Sequence, residues 1–272
     1  MRHRPSCNRI MGCPGKVALM QEGRAVVPLL VARVRGASRA DDGYWLTAII
    51  DLLGQLGDER ARPLLETLLE DSRWELPIRA AQALGRLGPG PSRALLEDTL
   101  RRAQEVHHAA LVGALHLALT RLPGDAGRAH RDALVVMLPQ TYEGLAAIPP
   151  IVLDLLVEFV REARLPKALP AVRLLIRHDN RFVRAQSLET AAALRDTGAL
   201  PYAYDRLEDP IPSVRKRALE ALQTITGAHR LSDPDAWKQW CAQHGCDALP
   251  EGSPPPPGLG LPRAGEGEGP PG

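Results

Sequence analysis

The stretch DPIPSVRKRALEALQTITG, Asp209–Gly227, carries a start signal, a stop signal and one apolar stripe between them. Asp209 can cap a helix by accepting a free amide hydrogen of the first turn. Pro210 and Pro212 preset φ near the start, where a missing N–H costs little. Val214, Ala218, Ala221, Leu222 and Ile225 recur at i, i+4, i+7, i+8 and i+11, which is one buried face of an α-helix. Arg215, Lys216, Arg217 and Glu220 lie mainly off that face. Gly227 can end the helix in the left-handed conformation that other residues resist.

The same grammar is written upstream. His178–Gly198 carries Val183-Arg184, then Leu188, Ala191 and Leu194 at helical spacing. Trp74–Gly88 carries Ile78-Arg79, Ala81, Leu84 and Leu87, and Asp41–Gly57 sets Trp45, Ile49, Leu52, Leu53 and Leu56 on one stripe. Leu46 and Arg79 are 33 positions apart, Arg184 and Arg215 are 31, and the 105 between Arg79 and Arg184 hold three units of 35. Glu105–Leu122 and Ile148–Glu162 supply degenerate copies inside that gap. A shorter helix precedes each copy, within residues 23–36, 59–71, 91–103, 128–139, 165–179 and 199–209. The unit is therefore helix–turn–helix, about six times over. One such unit buries too few aliphatics to hold itself folded, so neighbours must cover it.

The run D-P-x-P-x-V-R, followed by an Ala/Leu stripe and Gly, resembles the second helix of HEAT repeats in the form called lyase-like in bacteria. Asp209, Pro210, Pro212, Val214 and Arg215 carry that resemblance, with Val183-Arg184 and Ile78-Arg79 matching in part. It spans roughly residues 20–245, and the two middle units depart most, with His107 or Pro149 where Arg is expected. It implies an all-α fold: an α-solenoid of about six HEAT-like hairpins whose second helices line an inner surface. Asp233–Gly245 is similar to the Trp-containing tail that closes some such proteins. Asp233 can cap that helix and Pro234 can start it, while Trp237 and Trp240 form an aromatic lid on the last hairpin. The expected organisation is a flexible arm over 1–20, a solenoid over 21–248 and a disordered Pro/Gly-rich tail over 249–272. Arg184 and Arg215 are expected to reach the aspartates of their own turns, Asp179 and Asp209, as exposed pairs contributing ~0–1 kcal/mol.

Composition narrows the rest. The 272 residues are 44% hydrophobic but only 4% aromatic, so the core must be aliphatic. Net charge is +2, and only Lys16, Lys167, Lys216 and Lys238 among the 34 basic residues are lysine. Near-balance argues against a nucleic-acid binder, which would show a clustered basic domain. No segment approaches the ~20 apolar residues of a membrane span, and the first residues hold no apolar run of signal-peptide length. With four cysteines, Cys7, Cys13, Cys241 and Cys246, a disulfide scaffold is not expected, and a reducing cytoplasmic setting is.

Enzymes that share the scaffold can be checked by residue. Deoxyhypusine hydroxylases hold di-iron through His-Glu pairs, and this sequence has no His-Glu dipeptide. His107, His108 and His116 share one segment without a second pair, and read as surface or satisfied histidines. Cys241, His244 and Cys246 offer three zinc-type ligands without a fourth nearby, so no metal or other cofactor is expected. Glycines follow helices and read as caps. Asp41-Asp42 reads as a cap and Glu70-Asp71 as a solvated turn. Two alternatives stay open. An alkylpurine DNA glycosylase-like protein would use Trp45, Trp74, Arg79, Arg184, Arg215 and Arg217 on a basic face. A phycobilin lyase-like protein would use Tyr202 and Tyr204.

The leading expectation is a non-catalytic scaffold or adaptor that docks another protein on the inner surface. Arg181, Glu189, Lys216 and Arg217 are the candidate contact residues, and their arginine-rich setting suits an acidic or phosphorylated partner segment.

Overall fold

The computed structural model describes residues 14–38, 43–229, 231 and 233–246. Among these residues every regular element is helical. The chain divides into two compact units, Met1–Leu134 and Val135–Gly272. Both are runs of HEAT-like helical hairpins, so the fold class is all-α and of the α-solenoid kind. No helix of the described residues is long and apolar enough to cross a membrane.

The N-terminal unit opens with α1 (Pro14–Glu22), α2 (Val27–Arg35) and α3 (Gly43–Leu56). It continues with α4 (Arg62–Leu68), α5 (Glu75–Leu87), α6 (Arg93–Glu105) and α7 (Ala109–Leu119). The unit boundary falls within α8 (Gly124–Val136). Helices α2 and α3, α4 and α5, and α6 and α7 pair as hairpins, and α3, α5 and α7 pack side by side in that order. Of the expected arm, residues 1–13 lie outside the described residues, and Pro14–Glu22 is α1, in contact with α3.

Of the stripe expected on α3, Leu52, Leu53 and Leu56 are buried, but its first turns lie one residue on. Leu46, Ile50 and Leu53 are fully buried, whereas Trp45 and Ile49 are half-buried. Arg33 lies 4.1 Å over the Trp45 ring, so the indole covers the hairpin's flank as a cation–π partner. The expected copy at Glu105–Leu122 also starts later. Glu105 ends α6, His107 turns the chain at a φ of 52°, and the His108 ring accepts the Leu111 N–H as the cap of α7.

Several glycines lie inside helices and are not caps, and two of them set the spacing between helices. Gly54 and Gly85 sit inside α3 and α5, where a Cβ on either would lie 2.7 Å from the Cα of Ala83 or Ala118. Absence of a side chain there lets consecutive second helices approach until backbone meets methyl. Packing, not chain reversal, sets these positions.

The C-terminal unit holds α9 (Tyr142–Ala146), α10 (Pro150–Ala163), α11 (Leu169–Leu175) and α12 (Arg181–Ala193). After them come α13 (Leu200–Asp205), α14 (Pro212–Thr226) and α15 (Pro234–His244). Helices α11 and α12, and α13 and α14, pair as hairpins, while α10, α12 and α14 pack side by side in that order. Short 3-10 turns open α4, α11 and α13. At each junction a fully buried alanine (Ala61, Ala168, Ala199) stands two residues before a proline (Pro63, Pro170, Pro201). The expected tail, residues 249–272, lies outside the described residues.

All five stripe residues of α14, Val214 to Ile225, are buried, and Gly227 ends the helix at a φ of 77°. Asp209 has a different task from the expected cap. The cap residue is Ile211, and Asp209 is 1% exposed. Its carboxylate accepts both Nε and Nη2 of Arg184 at 2.8 and 3.0 Å, plus the Ile211 N–H at 2.9 Å. Arg184 thus pairs across to the next hairpin and not with the Asp179 side chain. Its Nη1 donates to the His178 and Asp179 carbonyls. Arg215 meets Asp209 only at its backbone carbonyl, 2.7 Å away.

Helix α15 closes the unit. Asp233 accepts the Ala236 N–H as its cap, and Trp237 is fully buried in the cluster that includes Leu222 and Ile225. The indole N–H donates to the Leu231 carbonyl at 2.9 Å, so the ring is buried without losing its hydrogen bond. Trp240 meets Trp237 edge-on at 5.4 Å and stacks on His244 at 3.9 Å.

Candidate functional site

The candidate contact residues lie on α12 and α14, whose sides meet in the C-terminal unit. Apolar residues of both helices face the core, which leaves Glu189, Lys216 and Arg217 on the solvent side of the seam. Glu189 is gripped by Arg161 of α10 and lies 3.8 Å from Arg217 of α14. Arg217 donates to Glu220 at 2.9 Å, and Lys216 reaches the same carboxylate at 3.8 Å. The result is a ladder of alternating charge across three second helices. A groove of about 230 Å³ runs beside it, lined by Glu189, Ala192 and Ala193 of α12 and Arg217, Glu220 and Thr224 of α14.

Within the ladder the groups differ in freedom. Arg217 and Glu189 are half-buried and shared between partners, whereas the Lys216 side chain keeps 65% of its surface exposed. Arg181 stands apart. It is the first residue of α12, eight positions from Glu189, hence about 12 Å along the axis. Its guanidinium lies 4.7 Å over the ring of Phe182, which is 54% exposed. The structure therefore brings Glu189, Lys216 and Arg217 together and places Arg181 at one end of the same helix. Arg161 and Glu220 belong to the ladder and were not among the expected residues. A regular spacing of 28 positions, Arg161 to Glu189 to Arg217, is the signal that points to the first of them.

Other expected constellations come apart. Arg184, part of the basic face of the glycosylase reading, is 2% exposed and bound to Asp209. Arg79 donates to Gln82. Trp74 is 46% exposed, while Trp45 lies beneath Arg33. Tyr202 is buried and Tyr204 half-buried against the core of the last hairpins, so neither offers an open tyrosine face. Asp71 pairs with Arg73 and Glu70 with Arg102, and Asp41-Asp42 lies outside the described residues.

His116 is buried and faces His130 of α8, Nδ1 to Nδ1 at 2.8 Å. Burial first, and the neighbouring ring second, push its pKa down to about 4. Burial lowers His130 as well. Cys241 and Cys246, two members of the zinc-type set, are joined as a disulfide, against the expectation of free thiols. The backbone already brings them together, because the Cys246 N–H donates to the Cys241 carbonyl at the helix end. His244 Nδ1 is 2.7 Å from the Trp240 carbonyl. Among the described residues no group of three or more His, Cys, Asp or Glu side chains is placed to hold a metal ion. Cys7 and Cys13 lie outside them.

Fold and site together define an all-α repeat protein built of stacked helical hairpins. Comparisons with known proteins agree at that level: residues 27–115 match the model of the family described as HEAT repeats. No curated protein matches the chain. Among solved structures, human deoxyhypusine hydroxylase in complex with glycerol is similar at 20% identity. That match covers 72% of this chain and 84% of that one, with a TM-score of 0.37. A likeness of that size carries nothing of that protein's activity onto this chain.

Proposed function

We propose that this chain is a non-catalytic docking scaffold that holds an acidic or phosphorylated segment of another protein along the solvent-facing seam of its second helices α12 and α14, the surface expected to be the inner one. The observation that carries the reading is the ladder itself. Arg161, Arg217 and Lys216 stand against Glu189 and Glu220, one cation more than the carboxylates of the ladder, and the groove beside it takes Arg217, Glu189 and Glu220 into its lining. Such a ladder is held in place before any partner arrives, and the ordering cost of binding falls accordingly. An incoming carboxylate or phosphate would compete for Lys216, the freest member, and take a second bond from Arg217. Small residues at Ala192 and Ala193 keep the groove floor open to an extended chain.

Charge reversal at both positions, Lys216→Glu with Arg217→Glu, tests this directly. The probe is a fluorescent peptide of alternating Glu and phosphoserine, read by anisotropy at two salt concentrations. The expected result is salt-sensitive binding by the natural chain, weakened at least tenfold in the double variant. Equal binding by both proteins would exclude this surface. A Gln/Ser version of the peptide that binds as well would exclude the charge argument.

A further inference from the structure

At the turn end of the last two hairpins, two carboxylates serve three buried guanidiniums. Asp209 accepts from Arg184 and, at 3.3 Å, from Arg206. Asp205 accepts from Arg206 Nη2. Arg177, at the end of the α11 turn, is 6% exposed, and its Nε lies 3.3 Å from the same Asp205 oxygen that Arg206 occupies. That contact lacks the alignment of a hydrogen bond, and among the described residues Arg177 Nε has no acceptor. Arg206 Nε, also buried, has none either.

This arrangement is costly as pure architecture. A buried cation that shares a neighbour's counter-ion and lacks an acceptor for its Nε–H destabilises the fold. Other arginines of the same unit show how the cost is normally avoided. Arg173 has both oxygens of Asp196 at 2.6 and 2.8 Å, and Arg184 has both oxygens of Asp209. Arg206 instead takes one oxygen from each of Asp205 and Asp209, and Arg177 meets only the Asp205 oxygen that Arg206 already occupies. Half-buried Tyr142, the first residue of α9, lies within electrostatic reach of Arg177, and α9 packs on α11. Its hydroxyl can donate a hydrogen bond to an anion that the guanidinium attracts. Asp179, also within reach, is exposed and screened by water.

We infer that Arg177, with Tyr142 beside it, forms a binding site for a single oxyanion, a phosphate or a carboxylate. Two oxygens of such a group supply the bidentate acceptor that the fork of Arg177 lacks, and a bound anion adds the negative charge that two aspartates leave short of three arginines. The site lies on first-helix and turn residues, and it stands without the α12–α14 ladder.

Thermal unfolding of the full chain at constant ionic strength tests it, with inorganic phosphate and acetate as probes against chloride. Phosphate should raise the melting temperature saturably by several degrees. A response to acetate alone would name a carboxylate as the group and leave the oxyanion site standing. Arg177→Met should abolish the response while melting in chloride at or above the natural chain, because a buried cation without its own partner is removed. Tyr142→Phe should keep the chloride melting temperature and weaken half-saturation about tenfold, the loss of one hydrogen bond to a charged group. Lys216→Glu with Arg217→Glu should keep the full phosphate response, which separates this site from the docking seam. A response that survives Arg177→Met, an unchanged half-saturation in Tyr142→Phe, or no response to either anion would overturn the inference.

Discussion

The two units solve the same packing problem with different devices at their closest joints, although an Arg86–Asp51 pair also crosses from α5 to α3. Between α3, α5 and α7 the joints are made by absence: Gly54 lies on Ala83 and Gly85 on Ala118, with no room for a Cβ. Between α12 and α14 the apolar contacts of Leu188, Ala191, Val214 and Ala218 are joined by a buried ion pair, Arg184 and Asp209, at 2% and 0% side-chain exposure. Dispersion between close backbones tolerates no added volume but is indifferent to pH and salt. A buried ion pair is the reverse, since it depends on both partners and little on neighbouring volume. A repeat protein can thus keep one hairpin geometry while each joint fails under a different insult.

The largest test strikes the charged joint. Asp209→Ala strands Arg184 and leaves Arg206 with Asp205 alone, and should destabilise the C-terminal unit by ~3–5 kcal/mol in denaturant unfolding. Replacing both partners, Arg184→Met with Asp209→Leu, should cost less than that single change. If the double variant is the weaker protein, the pair is not what the joint depends on.

Acid should reach the N-terminal unit by another route. His116 is held near a pKa of about 4 by burial and by His130, below the ordinary 6.5 that an unfolded chain restores. Between those values the unfolded chain binds the extra proton, so stability is full above about 6.5 and falls as pH drops toward 4. The loss is up to ~3 kcal/mol. His116→Gln, which does not titrate, should flatten that part of the stability–pH curve. An unchanged curve would place the acid sensitivity elsewhere.

Third in size is the glycine joint. Gly85→Ala improves helix propensity by ~1 kcal/mol yet forces a methyl within 2.7 Å of the Ala118 backbone. Overpacking should win, with a net loss of ~1–3 kcal/mol by chemical denaturation. A more stable Gly85→Ala protein would show that α5 and α7 are not in close contact.

Much of this was legible in the sequence, and the failures have one cause. Helical periodicity reports which face is buried, so α14, α12 and the capped α15 follow from Val214 to Ile225, Val183 to Ala191, and Asp233-Pro234. It does not report partners. Asp209 looks like a helix cap because a capping carboxylate and an ion-pairing one are the same residue, and its partner Arg184 lies 25 positions away. Gly54 and Gly85 look like punctuation for the same reason, since only the neighbouring helix reveals what a side chain there would strike. On α3 the stripe is right at Leu52, Leu53 and Leu56 and one residue early at Trp45 and Ile49, which are apolar yet flank the seam. Of the candidate site, Glu189, Lys216 and Arg217 could be read as off-stripe charges on second helices. Arg161 could have been found from its 28-residue spacing. The buried alanine and following proline that open α4, α11 and α13 also mark the register in the sequence.

Native-state hydrogen exchange on Asp209→Ala beside Gly85→Ala is the measurement closest to the central claim, that each joint is a local device of distinct chemistry. Asp209→Ala should lose amide protection in α12 to α15 and keep it in α3 to α7, and Gly85→Ala should show the converse. Equal loss throughout the chain from either change, or loss in the unit that was not altered, would contradict it.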